Sequence, residues 1–257
     1  MDSLATADYT LLAADEPPPF IVERAQGASP FLLVCEHAAK RLPRRLGDLG
    51  LDAADLERHI AWDIGAAAVA RRLSARLDAA LVTQTYSRLV IDCNRRPEAA
   101  DAIPTLSEET DIPGNHDLSP GERDARIREI HRPYQDAVAG LLDARETSIL
   151  IDIHSFTPVF KGVSRPWHVG LLHGDDDRAF LDILLGLIDR DGDLVVGENE
   201  PYATSMDDDY TIPVHGVRRG IVNVEFEIRQ DLIAGEAGRD EWAGKLEGWL
   251  SAALERM

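Results

Sequence analysis

Cysteine, positive charge and long apolar runs are all scarce in this chain of 257 residues. The two cysteines, Cys35 and Cys93, each sit inside an apolar run. That usage suits a reducing compartment and excludes a cysteine-rich zinc site. No stretch approaches the roughly 18 consecutive apolar residues of a membrane span. The N-terminal MDSLATADYTLLAADEPPPF is acidic and lacks the basic start and apolar block of a secretory signal, so a cytoplasmic location is expected. Lysine and arginine number 27 against 46 aspartates and glutamates, a formal net charge of −19. Such an excess repels phosphate backbones and anionic lipid, which argues against nucleic acid or a membrane as partner. Also missing are the G-x-S-x-G elbow, the G-x-G-x-x-G turn and the P-loop, so serine-hydrolase, dinucleotide and nucleotide-hydrolysis readings lack their signatures.

What is present reads as a folded α/β protein. Residues are 44% hydrophobic and 28% charged, unlike a disordered chain. Short apolar runs of strand length recur at 31–35, 80–83, 89–93, 148–153, 168–172, 193–196 and 221–226. Their near-continuous apolar character suits strands buried on both faces of a mostly parallel sheet. Between them, helical spacing of apolar residues marks 63–79, 122–142, 177–190 and the C-terminal stretch. The alternation predicts a three-layer α/β/α domain over 31–257. Residues 1–30, rich in proline towards their end, read as an irregular arm, and 95–121 as a long loop of the kind that shapes a binding site.

In such sheets ligands bind beyond the carboxyl ends of the strands. The first run ends Cys35-Glu36-His37, the fourth Asp152-Ile153-His154, and the last Glu225-Phe226-Glu227-Ile228-Arg229. Two imidazoles near carboxylates suit a divalent metal, zinc first, which wants three protein ligands and an open position in a catalytic site. Asp63 is the third candidate ligand, with His59 competing. Glu227 is the candidate general base and Glu225 its rival. Arg88, Asn94, Arg95 and Arg229 are candidates to hold a substrate carboxylate, because a planar guanidinium grips one in bidentate fashion. His215 leads into the last strand and joins the list of candidate substrate contacts. Buried Cys35 reads as a small hydrophobe, and the acid runs 175–177 and 207–209 lack the spacing of a calcium loop.

CEHAAKRLP, RHIAWDIGA, SRLVIDCNR, IDIHSF, GENEPY and EIRQDL, in that order, resemble the N-formylglutamate amidohydrolase family over residues 31–232. The resemblance implies a phosphorylase/hydrolase-like fold similar to zinc carboxypeptidases and zinc muramoyl-amidases. It also implies metal-dependent cleavage of the N-acyl bond of a small anionic acyl-amino acid. Carried over, the metal ligands are His37, Asp63 and His154, and the late glutamate is Glu227. The better-known histidine-degrading members carry a first motif closer to N-x-P-H-S-G, so the C-E-H form marks a separate branch. A muramoyl-alanine or other peptide amidase, and a non-catalytic anion-binding protein, are the alternative functions.

Overall fold

The apolar runs pair edge to edge. A computed structural model describes residues 9–145, 148–174 and 178–257. In chain order the strands are β1 (Phe20–Glu23), β2 (Phe31–Cys35), β3 (Ala80–Gln84), β4 (Leu106–Ser107), β5 (Thr110–Asp111), β6 (Ile149–Phe156), β7 (Val159–Phe160), β8 (Val163–Ser164), β9 (Val169–Leu172), β10 (Val196–Glu198) and β11 (Val222–Arg229). The helices are α1 (Ala66–Leu77), α2 (Pro120–Arg126), α3 (Arg132–Asp143), α4 (Ala179–Ile188) and α5 (Glu236–Leu254). Strands β4–β5 and β7–β8 form two small hairpins, and the other seven form one sheet in the order β1-β3-β2-β6-β11-β9-β10. Neighbours from β3 to β11 run parallel, as do β9 and β10; β1 and the β9–β11 junction are antiparallel. The fold is the expected three-layer α/β/α arrangement with a mostly parallel sheet.

Alternation of side chains along each strand divides the core in two. Phe31, Leu33 and Cys35 join Ile149, Ile151 and Ile153 beneath α1, α4 and α5. Leu32, Val34 and Leu150 face the other way, against Tyr134, Val138 and Leu142 of α3. Asp152 and His154 continue the parity of Leu150, and the register sets them opposite Glu225 and Glu227 of β11. Four polar side chains therefore share one face at the carboxyl end of two central strands.

Three segments differ from the sequence reading, each for a physical reason. The expected arm is not irregular throughout: Phe20–Glu23 pairs with β3 as an edge strand, and buried Leu11 donates its backbone N–H to Glu129. The apolar run 89–93 is buried but forms turns instead of a strand. Side chains satisfy its backbone, with Asn115 donating to the Leu89 carbonyl at 2.8 Å and Arg126 to that of Val90 at 2.9 Å. The helical stretch 122–142 divides into α2 and α3 around a wide π-type turn over Ile127–His131. Pro133, with no N–H to give, falls just after that turn, in the first turn of α3.

Glycine is required where a loop crosses β9. A Cβ on Gly170 would meet the Glu200 carbonyl oxygen at 2.0 Å and stand 3.4 Å from the Glu227 side chain. Replacing Gly170 by Ala is expected to cost about 1–3 kcal/mol, read as a lower midpoint in urea denaturation. A loss below about 0.5 kcal/mol would show that the Glu200 loop moves away freely.

Candidate metal centre and its cleft

The carboxyl ends of β2, β6 and β11 open into a cleft of about 460 Å³. His37 is the second residue beyond β2, Asp63 lies three residues before α1, and His154 is on β6. The His154 Nδ1 atom lies 3.1 Å from His37 Nδ1 and 2.9 Å from Asp63 Oδ2. His37 Nδ1 is 3.4 Å from Asp63 Oδ1. Local hydrogen bonds fix this meeting. The Asp63 N–H donates to the His37 carbonyl at 2.9 Å, and the Ser155 N–H donates to Asp63 Oδ2 at 3.0 Å.

A carboxylate stands behind each histidine. His37 Nε2 is 2.7 Å from Asp92 Oδ1, and His154 Nε2 is 3.0 Å from Asp152 Oδ1 and 3.3 Å from Glu36 Oε2. Each ring thus aims one nitrogen at a shared point and backs the other with an acid, the arrangement that orients metal-binding imidazoles. The supports are themselves held: Arg88 donates to Asp92 Oδ2 at 2.7 Å, and Thr211 to Glu36 Oε1 at 2.5 Å. Burial would lift the Asp63 carboxyl, but the two imidazoles hold it below the usual carboxylate range. Burial likewise opposes ionisation of Asp92, and Arg88 and His37 override it.

Three sets of donor atoms lie close enough together to hold an ion: His37–Asp63–His154, Glu36–Asp152–His154 and His154–Glu225–Glu227. His37 and Asp63 line the cleft, whereas Glu36 and Asp152 lie behind it. Glu225 and Glu227 line the cleft too. Glu227 Oε2 is buried with no hydrogen-bond partner among the described residues. Burial, then the charges of Asp63 and Glu225, push the Glu227 carboxyl well above its ordinary value against the pull of His154.

Other expected site residues are placed unequally. His59 lines the cleft, but its ring lies 3.5 Å from Glu108 and outside the donor sets. Arg88, Asn94 and Arg95 line one wall. Arg88 is paired with Asp92 and reaches Asp63 at 3.5 Å, while Arg95 is paired with Asp101 and Asp209. Two expected substrate contacts fall outside the cleft lining. Arg229 turns to Asp231 and to the carbonyls of Pro166 and Trp167. His215 sits on the far side of the Thr211–Gly216 turn, its Nε2 2.8 Å from Gln135 Oε1. Their strand-end positions did not reveal which way the chain turns next. Cys35 is buried and its thiol pushed well up by that burial, as befits a core residue. The acid run 175–177 lies outside the described residues. Sequence reasoning passed over Glu36 and the cleft residues Glu108, Phe160 and Tyr202; only Glu36, next to a candidate ligand, carried a signal.

Comparison with known proteins bears on this geometry. The family model for N-formylglutamate amidohydrolase matches residues 29–234. The chain belongs to that family. The gene product Atu2144 from Agrobacterium tumefaciens is a similar solved structure, at 40% identity and a TM-score of 0.92, covering 96% of this chain and 98% of the other. N-formylglutamate amidohydrolase from Ralstonia eutropha JMP134 shares the fold at 17% identity and a TM-score of 0.65, covering 93% and 98%. No curated protein matches the chain by sequence. Among the described residues no helix is long and apolar enough to cross a membrane.

The displaced His215 gives a test of the buried polar layer. Burial lowers its pKa to about 4. The folded chain therefore keeps it neutral, while the unfolded chain takes up a proton below about 6.5. Stability should fall as pH drops from about 6.5 towards 4, by up to ~3 kcal/mol from this group. Buried His131, shifted the same way, adds to that slope. Urea melts of His215→Gln at pH 7 and pH 5 should differ less than those of the wild type; an equal difference would place the acid sensitivity elsewhere.

Proposed function

We propose that this chain is a metal-dependent amidohydrolase that removes the acyl group from a small N-acylated amino acid, N-formyl amino acids such as N-formylglutamate being the substrate class. The carrying observation is the convergence of His37 Nδ1, His154 Nδ1 and the Asp63 carboxylate, with an acid behind each ring. Two imidazole nitrogens and a carboxylate oxygen fit zinc, and buried nitrogen lone pairs 3.1 Å apart repel unless a cation or proton lies between them. Family membership supports the same reading. When bound, a divalent cation would polarise the acyl carbonyl and acidify water to a pKa of about 7.

The chain's own residues do the rest. Glu227 faces the cleft with a free oxygen and takes the proton from the attacking water as the new C–O bond forms. It returns that proton to the nitrogen as the C–N bond breaks, which releases the acid and the free amine. Its raised pKa suits this exchange, since a base that binds protons more firmly than an ordinary carboxylate also gives them up to a departing amine. Glu225 lies one pleat further back, opposite Asp152, and is the weaker candidate for the role. The substrate is a small anion, drawn by local cations against the chain's overall negative field. The proposed setting is the cytoplasm.

Two measurements test this. Wild-type protein should carry stoichiometric zinc by elemental analysis, and His37→Ala/His154→Ala should carry none; normal zinc in the double variant would refute the ligand set. Glu227→Gln should keep its zinc and lose roughly 10²–10⁴-fold in kcat on an N-formyl amino acid. Undiminished turnover with zinc in place would move the base role to Glu225.

A further inference from the structure

Single apolar side chains at a surface are ordinary, but a group of them at the mouth of a cleft marks a place where something binds. Leu106 on β4 is 60% exposed and Val163 on β8 is 67% exposed, with Val159 and Tyr202 also well exposed. Leu106, Phe160 and Tyr202 line the same cleft as His37, Asp63 and Glu227. Val163 pairs with Phe160 across the β7–β8 hairpin, so both side chains stand on one face of it. In the turn of that hairpin the Lys161 N–H donates at 3.3 Å to Glu108 Oε1, which lies in the turn of β4–β5. The two small hairpins thus form one rim. Core packing does not account for its apolar residues, since Leu106, Phe160 and Tyr202 lie outside the hydrophobic clusters of the described residues. Arg165 holds the two rings in place, its guanidinium 4.5 Å from the centroid of Phe160 and 4.7 Å from that of Tyr202, with a hydrogen bond to the Tyr202 hydroxyl.

Charge in the cleft points the same way. Eight of its lining residues are aspartate or glutamate, two are arginine and none is lysine. Each arginine is already shared between two of those acids, Arg88 between Asp63 and Asp92 and Arg95 between Asp101 and Asp209. Glu108 is answered from outside the lining by Arg58. A substrate with one carboxylate can draw on the shared arginines. A second carboxylate, at the end of a side chain, brings more negative charge to a wall that has no further cation, and like charges set together in a cleft are a means of rejecting a ligand. The cleft, about 460 Å³, is of the size that encloses ligands larger than a formyl group, which is a single carbon, so the bulk that meets the rim comes from the amino-acid side chain.

We propose that the rim of Leu106, Phe160 and Tyr202 selects N-formyl amino acids with an apolar side chain over those with an acidic one. This rests on the amidohydrolase reading above and narrows its substrate class. The test uses the zinc-loaded full chain with N-formylmethionine, N-formylglutamine and N-formylglutamate, whose side chains are similar in length and differ in polarity and charge. kcat/KM should fall in that order, methionine leading glutamate by about tenfold or more. Leu106→Ala should cut methionine's lead over glutamine by about three- to tenfold, through KM and with kcat little changed. Leu106→Met, which keeps an apolar side chain, should preserve the lead. Leu106 is largely exposed, so both variants should fold. Glutamate equal to or ahead of methionine in the wild type, or a methionine lead untouched by Leu106→Ala, would overturn the proposal. Calorimetric binding of the three compounds to zinc-loaded Glu227→Gln, alone and combined with Leu106→Ala, separates the two readings. Methionine-first binding that weakens with Leu106→Ala, with no turnover of any of the three by the wild type, would overturn only the amidohydrolase reading. Binding in another order, or neither binding nor turnover, would overturn the rim's role.

Discussion

Two imidazole nitrogens, His37 Nδ1 and His154 Nδ1, face each other at 3.1 Å inside the protein, with the Asp63 carboxylate beside them. Much of the architecture around the cleft serves that meeting. β2 and β6 are parallel neighbours, so the residues past their carboxyl ends come together, and the loop leading to α1 brings Asp63 across them. Each ring has an acid behind it, and Arg88 holds Asp92 while Thr211 holds Glu36, which restricts the orientation of both rings. Burial makes the arrangement sensitive, because removing one partner leaves another polar group unpaired in a low dielectric.

Charge is handled locally, not by the net balance. The chain carries nineteen excess negative charges. Its cleft wall is also acid-rich, and the arginines there are already engaged with aspartates. Arginine in that wall is therefore a poor guide to anion recognition by itself. What distinguishes one arginine from another is its partner list: Arg88 and Arg95 have carboxylates, Arg126 has carbonyls, and Arg165 has rings and one hydroxyl.

Much of the fold was legible because buried parallel strands need continuous apolar runs: five of the seven such runs became strands, and 193–196 met β10 only at its last residue, Val196. The seventh, 89–93, has the same composition but lies in turns, since hydrogen bonds from Asn115 and Arg126 replace the ladder. No local pattern encodes that substitution, because those donors come from distant sequence. The split between α2 and α3 was visible only as a proline and not as a wide turn. The edge strand at Phe20–Glu23 is short and partly exposed, so it lacks the apolar signature of its neighbours.

The same division holds for the site. The sequence by itself determined that histidines and acids stand at the ends of β2, β6 and β11, because strand parity and the position of each run's end are local properties. Only the tertiary structure decided which of them meet. Asp63 joins the two histidines while His59 turns to Glu108, though four residues separate them. His215 precedes β11 and Arg229 ends it, yet neither lines the cleft, His215 being held by Gln135 and Arg229 by Asp231. Pairing across space depends on packing, and packing is not written in any single stretch of chain.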